Sequence, residues 1–279
     1  MSLRINTSPQ SFGLQRRDQQ LALNLARLNS GSRITKAADN PAGLIISEQL
    51  RAQLDGLNQA TDNISQGISS LRTAEGGLEG IQDLLQQQRG LALQARSTAT
   101  VDPSQRKALE TQFQALGKAI DSLAKDTQYA GTKLLDGSYQ GRSIQTGTEA
   151  GQQVEVTIAS NATGTPAGFD RAGLGTSGQT LATDDGIASA LKSIDKALDE
   201  VGQQRGYLGA LEANQLDTMR NSLGEATTNL AGARSTIADV DYAEEIAGLV
   251  RNQILMQSAI AARSQQNVTA GSVMRLLGA

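Results

Sequence analysis

The chain has 279 residues, a formal net charge of −3 and only 3% aromatic side chains, and it contains neither cysteine nor histidine. That excludes disulfides, thiol nucleophiles, thiolate metal sites and every catalytic triad built on an imidazole, and the near-neutral balance offers no basic patch for nucleic acid. Hydrophobic residues reach 38%, mostly Leu, Ile and Ala; the mix suits long amphipathic helices with shallow seams.

Proline occurs only at Pro9, Pro41, Pro103 and Pro166, so the stretches between are free to be helical. Leu21, Leu25 and Leu28 form a short periodic stretch, closed by the breaker Asn29-Ser30-Gly31-Ser32. Asp39-Asn40-Pro41 is a helix start, with a capping residue beside a first-turn proline. Leu50, Leu57, Ile64, Leu71, Leu78 and Leu85 then recur every seven residues, with Leu54 and Ile68 on the companion line. A heptad of this length predicts one helix over about 43–99, roughly 85 Å long at 1.5 Å per residue, packed nearly parallel to its neighbours. Gly67, Gly76, Gly77, Gly80 and Gly90 weaken it, and some of them are expected to admit the backbone of a neighbouring helix.

Asp102-Pro103-Ser104-Gln105 reads as a capping box opening a second helix to about Asp126, with Leu109, Phe113, Leu116, Ile120 and Leu123 on one face. Its short connection predicts that it folds back on the long helix. From Gly131 the texture changes. Val154, Val156 and Ile158 alternate with polar residues, a half-buried strand, and 142–145 is its plausible partner. Residues 160–183, rich in Gly, Thr, Ser and Ala, read as a surface loop and a candidate for glycans.

Thr183-Asp184-Asp185 caps another long helical region, where Ile187, Ile194, Val201 and Leu208 repeat by sevens. The line then slips by one position to Leu216, Leu223, Leu230 and Ile237. That slip predicts local unwinding or a kink. Asp239-Val240-Asp241 reads as a joint before a last amphipathic stretch with Ile246, Leu249, Val250, Ile254, Leu255 and Ile260, ending in Val273, Met274, Leu276 and Leu277. Residues 1–60 carry seven basic and four acidic side chains, and 184–245 five basic and twelve acidic. This opposite bias fits ends that pack on each other, within or between chains.

No catalytic constellation survives inspection. Asp184-Asp185 and Glu244-Glu245 read as acidic first turns. Asp239-x-Asp241 has the spacing of a calcium loop without its glycine or terminal glutamate. Gly76-Gly77-x-x-Gly80 lacks the strand and the Lys-Ser/Thr of a phosphate loop. No cofactor or metal is expected. The chain has no apolar run of ~18 residues that would span a membrane, and its start lacks a secretory signal pattern. What remains is surface: Leu21, Leu25, Leu28, Ile246, Leu249, Val250, Ile254 and Leu255 lie outside any thick core, and burial among neighbouring copies is their expected fate. Insertion at a membrane surface is the rival, with no Trp in either segment to favour it.

The residues at both ends resemble bacterial flagellin. Leu3-Arg4-Ile5-Asn6-Thr7, Leu28-Asn29-Ser30-Gly31-Ser32-Arg33-Ile34, Lys36-Ala37-Ala38-Asp39-Asn40-Pro41-Ala42-Gly43-Leu44 and Leu57-Asn58-Gln59-Ala60 are similar to its N-terminal signature. Asn229-Leu230-Ala231-Gly232-Ala233-Arg234-Ser235, Ile237-Ala238-Asp239-Val240-Asp241-Tyr242-Ala243-Glu244-Glu245 and Asn252-Gln253-Ile254-Leu255 are similar to its C-terminal one. The resemblance implies a mainly α fold, a long antiparallel coiled-coil-like bundle with a small β-hairpin region. It divides the chain into a terminal helical domain (1–42 with 238–279) lining a filament core, a long-helix bundle (43–138 with 184–237), and a β-hairpin with a short variable surface region (139–183). Leu50, Leu57, Ile64, Leu71, Leu78 and Leu85, with Leu216, Leu223, Leu230 and Ile237, form an intrachain helix seam under this reading.

The resemblance further implies a structural, non-enzymatic subunit of the flagellar filament for swimming motility, the hook–filament junction protein being the alternative within the family. Such subunits leave the cell through type III export without signal cleavage. Their partners are other copies, an export chaperone on the C-terminal helix, and cap and junction proteins. An animal innate immune receptor recognises the family through residues here matched by Gln86, Arg89 and Leu91. Gln87 and Gln112 stand where strongly recognised members carry Arg and Glu, so recognition is expected to be weakened.

Overall fold

The structure is a computed structural model describing residues 8–97, 102–162 and 164–277. Six helices, α1 (Ser8–Ser30), α2 (Pro41–Ala95), α3 (Pro103–Asp126), α4 (Asp184–Leu211), α5 (Asp217–Ala238) and α6 (Tyr242–Leu277), carry most of the chain. Four short strands follow α3: β1 (Gln128–Tyr129), β2 (Thr132–Lys133), β3 (Arg142–Gln145) and β4 (Gln153–Val156). The chain falls into two compact units, residues 55–227 and the two terminal stretches 1–54 with 228–279. The expected motif at residues 3–7 lies outside the described residues, as do the side chains of Met274, Leu276 and Leu277.

The predicted helix starts are present as hydrogen bonds. Asn40 accepts from the Gly43 N–H at 2.9 Å and opens α2. Asp102 accepts from Ser104 and Gln105 N–H while Gln105 reaches back to the Asp102 N–H, a complete capping box with Pro103 in the first turn. Thr183 caps α4 through the Gly186 N–H.

In residues 55–227, Ile64, Leu71, Leu78 and Leu85 of α2 are fully buried with Leu109, Phe113 and Ile120 of α3 and Ile187, Ile194, Val201 and Leu208 of α4. The α3 helix lies against α2, where the buried Gln88 side chain donates to the Phe113 carbonyl at 3.0 Å. β3 and β4 pair antiparallel, with Ile144 opposite Val154 and Arg142 opposite Val156. Alternation turns Ile144, Val154 and Val156 inward. β1 and β2 form a tight hairpin whose first turn residue, Ala130, has φ +48°.

Two expectations change. Residues 160–183 are not simply a surface loop. Phe169, Leu174 and Leu181 are buried in the core, and the segment is fixed to α3 by Asp121, which pairs with Arg171 at 2.8 Å, and by Gln114, which donates to the Gln179 carbonyl at 2.8 Å. Nor do the α2 glycines admit a neighbouring backbone. A Cβ on Gly67 would strike the Ile144 side chain at 2.5 Å, one on Gly77 would meet Thr127 and Leu135 at 2.7–2.8 Å, and one on Gly80 would meet Leu123 at 2.8 Å. These three are notches for side chains, whereas Gly76 and Gly90 face open space.

The slip between Leu208 and Leu216 is a π-turn, Glu212–Leu216, joining α4 to α5.

Candidate self-assembly surface

Within the terminal unit α1 and α6 run antiparallel. Arg17 of α1 donates to the Leu255 carbonyl at 2.5 Å, Asn24 donates to Glu245 at 2.5 Å, and Arg27 lies 3.9 Å from Glu245. Asn252 donates to the Asn24 side-chain oxygen at 3.1 Å. The inward line of α6 is Glu245, Gly248, Leu249, Asn252, Met256 and Ala259, all half-buried and spaced by three and four. The seam between the two helices is therefore mixed, with Asn24, Arg27, Glu245 and Asn252 joined by half-buried Leu21, Leu28, Leu249 and Met256. Gly248 keeps it close, because a Cβ there would lie 3.3 Å from the Asn24 amide.

The eight terminal residues singled out above part into two groups. Leu21, Leu28 and Leu249 are half-buried. Leu25, Ile246, Val250, Ile254 and Leu255 are exposed, Ile254 by 57% and Ile246 by 49%. Ile246, Val250 and Ile254 repeat every four residues and so form a continuous apolar line beside that seam. Ile260, Val268 and Val273 extend the exposed apolar surface of α6, and Ile45 and Ile46 add an exposed pair at the start of α2. Sequence reasoning passed over that pair, and over Asn24 and Asn252. Only the opposite charge of the two ends hinted at polar contacts in the seam.

A short backbone joint holds the two ends of the unit. Gly31, at φ +67°, turns the chain out of α1 in a conformation glycine adopts without penalty. Ser32 and Asp239 form an antiparallel bridge, flanked by Arg33 N–H to the Ala238 carbonyl at 2.7 Å and Val240 N–H to the Gly31 carbonyl at 3.0 Å. Arg33 also donates to the Ile237 carbonyl at 2.7 Å. Asp241 accepts from the N–H groups of Ala243 and Glu244, so it caps α6. Asp39 closes the loop before α2 by accepting from Thr35 and Lys36. The Thr35 hydroxyl is the main cause that holds its carboxyl below the usual 3.8. Beside this joint Arg27, Arg33, Asp239, Asp241 and Glu244 line an open groove of about 500 Å³ with mixed charge. Among the described residues no cluster could hold a metal ion, and no helix is long and apolar enough to cross a membrane.

Of the expected seam, Ile64, Leu71, Leu78, Leu85 and Leu216 share one buried cluster, with Leu223 packed against it. Leu50, Leu57, Leu230 and Ile237 are half-buried and outside that cluster. Gln86 and Arg89 are exposed on α2, Arg89 paired with Asp195 at 2.7 Å, whereas Leu91 packs against the core.

Residues 5–140 match the bacterial flagellin N-terminal helical region and residues 191–277 match the C-terminal helical region. A flagellin of Halalkalibacterium halodurans is 35% identical, over 91% of this chain and 90% of its own length. The chain belongs to the bacterial flagellin family. Its central region is short for that family, with Tyr139–Asp184 spanning little beyond β3, β4 and the Phe169 loop. The flagellin of Bacillus subtilis is likewise 35% identical, covering 91% of each chain. A flagellar filament 30.7 kDa core protein of Treponema maltophilum is 32% identical over 93% of each. The fold is similar to the solved structure of a flagellar hook-associated protein from Vibrio parahaemolyticus, at TM-score 0.56 and 15% identity over 72% of this chain and all of the other.

Proposed function

We propose that this flagellin polymerises through the exposed apolar line of α6, with the terminal helix pair as its assembly surface. The chain is a structural subunit of the flagellar filament, which lies outside the cell, and it associates with further copies of itself. The carrying observation is in the terminal unit: α1 and α6 are already joined through Asn24, Glu245 and Asn252, and Ile246, Val250 and Ile254 still stay exposed. Burying one such side chain contributes roughly 1.5–3 kcal/mol, so a few per copy stabilise a polymer. Relatives at 35% identity named as flagellins favour the filament over the hook–filament junction.

Several finer readings go with this one. Residues 1–42 with 238–279 form the filament's inner layer, 43–138 with 184–237 the bundle around it, and 139–183 the outer face. The helical seam of that bundle runs along Leu50, Leu57, Ile64, Leu71, Leu78 and Leu85 of one stretch and includes Leu216, Leu223, Leu230 and Ile237 of the other. Leu21, Leu25, Leu28, Leu249 and Leu255 join the polymer contacts. Export proceeds without cleavage of a signal, a chaperone holds the C-terminal helix beforehand, and cap and junction proteins meet the assembled ends. The chain carries no enzymatic activity. Recognition by the innate receptor through Gln86, Arg89 and Leu91 is weakened, because Gln87 and Gln112 carry no charge.

Salting out the full-length protein and imaging it by electron microscopy tests the central reading. Filaments are expected from the intact chain, and none after deletion of about 1–40 or 240–279, which is expected to leave a folded, monomeric middle. Fibres from either truncated chain would overturn the reading.

A further inference from the structure

We propose that the π-turn at Glu212–Leu216 is a register adapter, a one-residue take-up that keeps a single core line running from α4 into α5. The line advances by sevens through Ile187, Ile194, Val201 and Leu208, all buried, and continues at Leu216, also fully buried, and Leu223, packed beside the core. From Leu208 to Leu216 is eight residues. In an unbroken α-helix seven residues turn about 700° and eight about 800°, so Leu216 would stand roughly 100° away from the stripe's next place. The π-turn removes that offset. The Asp217 N–H bonds to the Glu212 carbonyl, five residues back, and one residue is absorbed in a single wide turn. The residues available for absorption, Ala213, Asn214 and Gln215, are all exposed.

Two contacts hold this register. One is the burial of Leu216. The other comes from α2, where Arg72 donates to Glu212 at 2.8 Å through Nε, with its second nitrogen 2.7 Å from the same oxygen, at the first residue of the turn. Closing the turn into a regular α-helix without losing a residue would put Gln215 in the core position and rotate Leu216 outward. Removing one residue instead reaches the α-helix with Leu216 still in place. Deletion at 213–215 therefore keeps the core line in phase, and deletion within α5 shifts the phase of everything downstream.

The test compares two single-residue deletions in the full-length monomer. Deleting Asn214 is expected to leave the helical circular dichroism intact and the melting temperature equal to the parent's or higher. It is also expected to slow amide hydrogen exchange across 212–217 at least tenfold, as regular hydrogen bonds replace the wide turn. Deleting the exposed Asn221 swings Leu223 about 100° off the core line, and is expected to lower melting by several degrees. The proposal is overturned if the Asn214 deletion melts as low as the Asn221 deletion, fails to fold, or leaves exchange across the turn unchanged.

Discussion

The helices of residues 55–227 and the helices at the chain ends spend their aliphatic side chains in opposite ways. In the first, Ile64, Leu71, Leu78 and Ile120 are fully buried, while polar groups such as Arg72 and Glu212 meet at the rim. In the second, Asn24, Arg27, Glu245 and Asn252 meet between α1 and α6, and Ile246, Val250, Ile254 and Ile260 are left outside. The contrast teaches where each region finds its stability. The 55–227 bundle draws it from burial within one chain, since transfer of apolar surface out of water dominates folding. The α1–α6 pair gains little from its hydrogen bonds, each worth about 0.5–1.5 kcal/mol net, and much of its apolar surface stays exposed in the single chain.

The sharpest way to break the comparison is to make the same change on both sides. Ile120→Ala is expected to destabilise the monomer by about 2–5 kcal/mol in urea unfolding followed by circular dichroism. Ile254→Ala is expected to move monomer stability by less than about 0.5 kcal/mol and to raise the critical protein concentration for filament growth severalfold in sedimentation assays. A large stability loss from Ile254→Ala would place that side chain in the monomer's own core. Adjacent glycines give the next test. Gly77→Ala meets Thr127 and Leu135 and is expected to cost about 1–3 kcal/mol, whereas Gly76→Ala meets nothing and is expected to stabilise by about 0.5–1 kcal/mol. Asp102→Ala, which removes the α3 cap, is expected to cost about 1 kcal/mol by thermal melting.

The smallest effect concerns Asp39. Its carboxyl titrates below the usual value because the Thr35 hydroxyl and nearby N–H groups favour the charged form. A group lowered by folding adds stability above its unfolded value, and the gain disappears as pH falls through the lowered one. In an NMR pH titration Asp39 is expected to protonate below freely exposed aspartates, and Thr35→Val to move it back toward them.

Much of the bundle was legible because its signals are local. The heptads of α2, the Asp102–Gln105 box, the Asn40 cap and the alternation at Val154 and Val156 each follow from neighbouring residues. The slip after Leu208 was legible as a fault in phase, and its form as a π-turn was not, since sequence spacing does not tell a kink from an absorbed residue. The burial of Phe169, Leu174 and Leu181 was hidden because they sit five and seven apart in a Gly-rich stretch with no period. The notches at Gly67, Gly77 and Gly80 depend on side chains brought from far along the chain. On the terminal helices the eight aliphatic residues read as one set. Only the pairing of α1 with α6 separates those that face each other from those that do not.

The bridge between Ser32 and Asp239 joins positions more than two hundred residues apart. Ring closure over that span costs only slightly more entropy than over a shorter one, but contacts so distant in sequence are slow to form. During synthesis α1 emerges first and waits for nearly the entire remainder of the polypeptide before its mate exists. A message cut short by a nonsense codon anywhere before position 240 therefore yields an N-terminal helix with no companion.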